Sequence, residues 1–465
     1  MVLEPMKSLK SIIHSLPLEE RSEELAGKTQ SQNRVNPNLF YGVLTLFFLV
    51  AAFLFYRGDN WRLLGPPFAP FSGQDFRQIL RASQEIVNGE NIYSHAIPYA
   101  HSPDFGQFMR WKASPYPYSP IVAVMAIPLL RYPEVAALIF WTALSWLLLF
   151  AAVIITIVGI LRDKNIAKIL AVLVFFSLYG PFHLNLNYIQ LDIFILFLLC
   201  LAYFFYRKGS VFAGIALGFA ISLKLLVAPL VIYFLWKKDW KTSALAALTA
   251  GTLTIIGFSV AGWDLLPDFI QVNYLWSVTD MLSFPFNQSI HGLGLRLFTN
   301  NSYIEPFMPI PFLAPLLRII GIGFSAYLWI SLVSRNDNRQ SLTGFLEYGF
   351  TVTSMLFLSP LVDDVHYVWV LLPISGLLMT FSSLRLEKRQ LLLFIFTLFC
   401  VLFMAHPDLH DAVYYGWESV AYDKTLVNKN YGLLTGAYVY GLIGLEICLA
   451  ANLLGFRRRM ESGSR

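Results

Sequence analysis

A succession of long apolar blocks between residues 39 and 456, separated by short polar breaks, is the feature that most limits what this chain can fold into. Blocks such as 133–161, 240–262 and 432–456 are long enough to cross ~30 Å of hydrocarbon at ~1.5 Å per helical residue. The strands of a membrane barrel would alternate apolar and polar positions, and these blocks do not. Composition agrees: 56% of the 465 residues are hydrophobic and 14% are charged, whereas soluble domains are about a quarter charged. The chain reads as an all-α polytopic membrane protein.

About ten full spans are expected, at 39–56, 133–161, 166–184, 188–206, 240–262, 311–334, 341–359, 366–381, 391–405 and 432–456. The apolar run within YSPIVAVMAIPLLRYP, 118–133, is too short to cross and is read as re-entrant or interfacial. The block 211–236 carries Lys224 in its middle, Pro229 just after, and basic clusters on both flanks, RKGS and KKDWK. A single crossing would turn one cluster outward. A hairpin of two half-helices broken near Lys224 keeps both on one side, which brings the expected total to 10–12 membrane helices.

With that hairpin, RDKNIAK, Arg207 and Lys208, KKDWK, RNDNR, RLEKR and the terminal RRR all fall on one face. The positive-inside rule makes it cytoplasmic, and with it the tail 1–38 and the basic tail 457–465, flanking one domain at 39–456. The other face receives 57–117, 185–192, 263–310, 359–366 and 405–431, which hold the chemistry-bearing polar groups. A channel or transporter would spread such groups over both faces and through the spans. The formal charge of +5 comes from span ends, so nucleic acid is not an expected partner, and the three cysteines lie in apolar blocks with no disulfide or metal pattern.

Several stretches on the outer face are candidates for chemistry. FSGQDFRQILRASQEIVNGENIYS, 71–94, reads as a helix over 74–88 that ends at Gly89, with Asp75 in its first turn. Asp75 is there either a helix cap or a general base held just outside the bilayer. Lys224 needs an anion or a water-filled cavity; the options are a phosphate or a carboxylate such as Asp192. SPLVDDVH sets Asp363, Asp364 and His366 at the outer end of a span. Three such residues rarely complete a metal shell, so no metal is assigned, and a His366 that hydrogen-bonds a phosphate or sugar, oriented by Asp364, is favoured. FNQSIHGLGLRLF offers Asn287, Gln288 and His291, with Arg296, which suits a phosphate or anchors the helix at headgroups.

Together these stretches resemble the GT-C class of polytopic glycosyltransferases, and most closely glycosyltransferase family 87. The family's first-loop Asp, followed by an amphipathic helix and a Gly-x-x-Tyr pattern, looks like GQDFRQILRASQEIVNGENIYS with Asp75 and Tyr93, and its YPPL motif resembles YSPI, beginning at Tyr118. Its Gly-Gln-x-Asn motif is similar to IQLD, where Gln190 matches while Ile189 and Asp192 depart. AGIALGFAISLKLLVAP resembles the family's Lys-Pro hairpin and supplies Lys224, NQSIHGLGLR matches an Asn-Gln-Ser helix with a following Arg, and SPLVDDVH is similar to Ser-Pro-x-x-Trp-Asp-His-His.

The resemblance implies a multi-pass plasma-membrane enzyme with a GT-C fold. It would move a hexose, mannose first among them, from a polyprenyl-phosphate donor to a lipid or glycan acceptor on the extracytoplasmic face, with inversion. Asp75 would be the base. Lys224, His366 and Arg296 would bind the donor phosphate, and Gln190, Asn287, Gln288, Asp364, Tyr93 and Tyr118 the substrates. A phosphate monoester leaves well, so no cofactor is implied, and Asp363 with Asp364 is the one place for a divalent ion. The rival readings are a lipid or solute transporter with Lys224 as its intramembrane site, and a glycan ligase or polymerase on the same fold.

Overall fold

The computed structural model describes residues 73–101, 115–278, 280–301, 303–383, 388–405 and 435–463, together with Val43, Leu46 and Leu433. The expected tail 1–38, nearly all of the first span 39–56, parts 57–72 and 102–114 of the first external loop, and 406–431 lie outside the described residues.

In chain order the main helices are α1 Gln74–Asn88, α2 Pro120–Ala126, α3 Glu134–Ile154, α4 Ile166–Ser177, α5 Gly180–Tyr188, α6 Asp192–Arg207, α7 Phe212–Leu223 and α8 Leu230–Trp236. They continue with α9 Trp240–Ala261, α10 Leu266–Trp276, α11 Ile290–Phe298, α12 Leu313–Leu332, α13 Leu342–Leu358, α14 Leu371–Ser383, α15 Lys388–Ala405 and α16 Ala437–Gly463. An isolated antiparallel β-bridge joins Asn287 and Asp363.

Among the described residues five helices are long and apolar enough to cross a membrane: Glu134–Ile160, Trp240–Ala261, Leu313–Leu332, Asp364–Ser382 and Ala437–Phe456. A sixth is reached if Lys168–Ser177 and Gly180–Tyr188, bent by 56°, count as one broken span. The ten full spans expected above do not emerge from length and composition among the described residues. The 166–184 run bends ahead of Pro181, and the expected spans 188–206 and 341–359 are helices of 16 and 17 residues. The windows in α9 and α12 are only 17% buried, so these two face lipid, whereas that in Asp364–Ser382 is 89% buried and runs through the centre.

The hairpin expected at 211–236 is present. α7 ends at Lys224, whose backbone is extended, and the chain resumes as a short 3-10 turn, Leu225–Val227, leading into α8. Its two outer ends return to one side. Lys237 Nζ bonds the Asn336 carbonyl, Asn338 Oδ1 and Glu347 Oε2, while Tyr206, at the end of α6, packs its ring on Phe234 at 5.1 Å. α7 lies close against α9, because a Cβ on Gly214 would come within 2.6 Å of the Thr242 carbonyl and one on Gly218 would collide with the Ala246 carbonyl. Small residues that let backbones approach are the usual basis of tight packing between membrane helices.

The bundle therefore has two distinct polar ends. One gathers Arg207, Lys237, Arg339 and Gln340; the other gathers Asp75, Gln190, Asp192, Lys224 and the 359–366 segment.

Candidate active site

Helix α1 has the limits its spacing predicts, and buries Phe76, Ile79 and Ala82 on one face. Ser83 Oγ donates to the Ala123 carbonyl at 2.8 Å, fastening α1 to α2, and Phe76 stacks on Trp141 of α3 at 5.0 Å. Gly73 precedes the helix at φ 86°, in the left-handed region, and its N–H donates to the Asn187 carbonyl at 2.6 Å. A Cβ there would come within 2.9 Å of Leu138 Cδ2, so position 73 is glycine for both conformation and space. This joint delivers Asp75 to the segment that follows α5.

Gln190 sits in that segment. Its Nε2 donates to Asp75 Oδ2 at 2.5 Å, and its Oε1 accepts the Tyr118 hydroxyl at 3.1 Å. Gln78, one turn along α1, donates to Asp75 Oδ1 at 3.4 Å. Both carboxylate oxygens are thus addressed by N–H donors, and the amide of Gln190 is fixed with nitrogen toward the acid and oxygen toward the phenol. Tyr93 is fully buried and donates to the Tyr118 carbonyl at 2.7 Å, which holds the Tyr118 backbone rather than lining a free surface. Burial, then Asp75, Asp192 and Asp363, push the Tyr118 phenol well up, so it remains a donor.

Lys224 reaches the same group from the hairpin tip. Its Nζ is 2.7 Å from Asp192 Oδ2, with side chains 10% and 0% exposed. The other oxygen, Asp192 Oδ1, is buried without a hydrogen-bond partner. Of the two options open for Lys224, the carboxylate is its partner here. The Asp192 carbonyl accepts Trp369 Nε1 at 3.1 Å, and the edge of Trp369 meets His366 at 5.2 Å between ring centroids.

The 359–366 segment closes the group. Desolvation, then Asp364, push the Asp363 carboxyl up to about 7; Asp75 and Asp192 add to the shift and Lys224 opposes it. His366 in turn senses the charges of Lys224 and Asp192. Asp75, Asp192, Lys224, Asp363, Asp364 and His366 therefore share one electrostatic neighbourhood. His366 Nδ1 lies 3.0 Å from the Asp363 carbonyl. A carbonyl only accepts, so Nδ1 carries a hydrogen and Nε2 is the acceptor of the neutral ring. The Asp363 backbone thus orients the ring, where the sequence pointed to Asp364.

Other expected ligands serve the scaffold. Asn287 Nδ2 donates to the Leu282 and Pro360 carbonyls at 2.7 and 3.0 Å, and its Oδ1 accepts the Val362 and Ser289 amides, both at 3.0 Å. Gln288 donates through its side chain to the Pro285 carbonyl at 2.7 Å, and its own carbonyl accepts the Tyr367 hydroxyl at 2.8 Å. Arg296 is fully buried. Its guanidinium donates to the Phe284 and Asn287 carbonyls at 3.0 and 2.7 Å and to Thr435 Oγ1 at 2.9 Å, so it clamps three segments instead of presenting itself to a phosphate.

Two contributors escaped the sequence reading. Gln78 was legible as the residue three positions beyond Asp75 on the same helical face. Asn185, which ties α5 to the Val365 carbonyl at 2.8 Å, gave no such signal.

No curated protein matches the chain. The family model for glycosyltransferase family 87 matches residues 116–360, more than half of the 465, a stretch that includes Tyr118, Gln190, Asp192 and Lys224. The chain therefore belongs to glycosyltransferase family 87.

Proposed function

We propose that this membrane glycosyltransferase transfers a hexose, mannose being the sugar the resemblance points to, from a polyprenyl-phosphate donor to a lipid or glycan acceptor with inversion. The reaction would take place on the extracytoplasmic side of the plasma membrane in a GT-C fold. What carries the reading is the convergence of Asp75, through Gln190 and Tyr118, with the Lys224–Asp192 pair and His366.

In this reading the acceptor hydroxyl oxygen attacks the anomeric carbon as its proton passes to Asp75. The bond from that carbon to the phosphate oxygen breaks, and the polyprenyl phosphate leaves with the electron pair. Charge growing on the phosphate is offset by Lys224, which Asp192 holds at the site. Gln190 positions the base, and Tyr118 positions Gln190. Arg296, Asn287 and Gln288 act one step back by shaping the segment that presents Asp363 and His366.

The test is Asp75→Asn in purified protein supplied with a polyprenyl-phosphate hexose. Loss of transfer by roughly 100-fold or more, the usual scale of a lost general base, is expected with donor binding retained. A variant that keeps transfer within a few fold would remove Asp75 from the chemistry. Consumption of a pyrophosphate-linked glycan in place of the monophosphate sugar would move the protein to the ligase class.

A further inference from the structure

The opposite end of the bundle carries a polar cavity that the transfer reaction does not use. Its volume is about 420 Å³, and Arg207, Lys208, Asp337, Arg339 and Gln340 are among the residues that line it. Arg207 and Asp192 are the two ends of α6, a helix of 16 residues, which sets this cavity ~24 Å from the candidate active site at 1.5 Å per residue.

Charge in the cavity is unbalanced. Arg339 is answered by Asp337, whose Oδ1 and Oδ2 accept its Nε at 2.9 and 2.7 Å. Asp337 is the one acid in the lining. Arg207 is only 8% exposed, and its Nε–H is buried without a partner. Its Nη2 shares the Gln340 side-chain oxygen, at 3.4 Å, with Arg162, at 3.3 Å. A neutral amide oxygen thus stands between two guanidinium groups, a position that suits an anionic oxygen better. Lys208 adds an exposed ammonium above the Phe204 ring at 4.0 Å.

The surroundings select the kind of anion. Phe205 packs on Phe212 at 5.4 Å, and Val211 and Phe212, two and three residues past the lining glycine Gly209, are 37% and 54% exposed. Apolar side chains open to lipid beside a basic cavity at a helix end match the phosphate and the acyl chains of one molecule. We infer that the cavity bounded by Arg207, Lys208 and Gln340 binds the phosphate headgroup of an anionic membrane lipid, at a site separate from the one that transfers sugar.

The test uses the full chain, delipidated in neutral detergent, with native mass spectrometry to count bound phosphatidylglycerol against phosphatidylcholine. Phosphatidylglycerol is expected to bind in preference. Lys208→Gln, an exposed position whose loss leaves the fold intact, is expected to weaken it about fivefold, the effect of one basic residue at an anionic lipid surface. Arg207→Lys is expected to weaken it further. Equal binding of the two lipids, or phosphatidylglycerol binding unaffected by Lys208→Gln, overturns the inference. So does displacement of the lipid by millimolar inorganic phosphate, which would make the occupant a free ion. None of these outcomes depends on sugar transfer, so the two proposals stand or fall separately.

Discussion

Lys224 and Asp192 meet at 2.7 Å across the break between α7 and the turn leading to α8, with the lysine facing an acid where the family pattern that IQLD resembles has Asn. The lysine already has an anion, and in the proposed reaction a donor phosphate has to share it. Asp192→Asn leaves a mostly buried ammonium without its counter-charge, which destabilises the ligand-free protein by about 3 kcal/mol. The donor phosphate then becomes the partner it lacks. Its binding is expected to raise the melting temperature of the variant more than that of the wild type. Equal donor-induced shifts in the two proteins would separate Lys224 from the phosphate.

Asp363 links stability to pH. Its folded-state value of about 7 lies above the ordinary carboxylate range near 3.9, so between those limits the folded protein holds a proton that the unfolded chain has released. Stability is therefore expected to fall as pH rises from about 4 to about 7, and to level off above that, by of order 2 kcal/mol once partial exposure is discounted. Asp363→Asn removes this contribution. Glu85, also pushed up to about 7 by burial, adds a slope of the same sign that the substitution leaves in place. Thermal unfolding of both proteins from pH 5 to pH 8 checks the difference, and parallel curves would exclude Asp363 as its source.

Arg296 separates scaffold from chemistry. Its donors serve the Phe284, Asn287 and Thr435 carbonyls; Arg296→Met takes the guanidinium from the buried Asn287 and Thr435 carbonyls, while the Phe284 carbonyl keeps the Asn287 N–H at 2.9 Å. A loss of about 3 kcal/mol is expected. The fraction that remains folded should keep its KM for the donor. A KM that rises several-fold with little change in melting temperature would instead return Arg296 to the phosphate.

How far the residues themselves disclose this arrangement depends on whether the deciding contact is local. The α1 limits and the break at Lys224 were readable, because amphipathic spacing and flanking charge are properties of neighbouring positions. The fate of Arg296 was not. The same five donors suit a phosphate or a set of carbonyls, and the choice rests on Thr435, 139 positions away. Lys224 fell between these cases: the need for an anion was legible, but which anion was not. The path of 166–184 was not legible for a related reason, since an apolar run shows that a segment is buried in something but not that it bends by 56° midway.

Gly73 offers a test of positioning that touches no reacting group. Its φ of 86° is unfavourable for any side chain, and a Cβ would press on Leu138 Cδ2 at 2.9 Å. Gly73→Ala is therefore expected to destabilise by about 1–2 kcal/mol. Relief of the clash by turning the start of α1 would lengthen the 2.5 Å contact between Gln190 and Asp75. Because Asp75 sits two residues beyond the joint and Lys224 is on another element, kcat should fall about tenfold or more while donor KM holds. Gln190→Leu, which removes the same contact from its other side, should give the same split between kcat and KM, and combining the two should cost little more than either alone. Additive losses would mean that Gly73 and Gln190 act on Asp75 independently, and would break the chain of positioning that runs from the α1 joint through the amide to the acid.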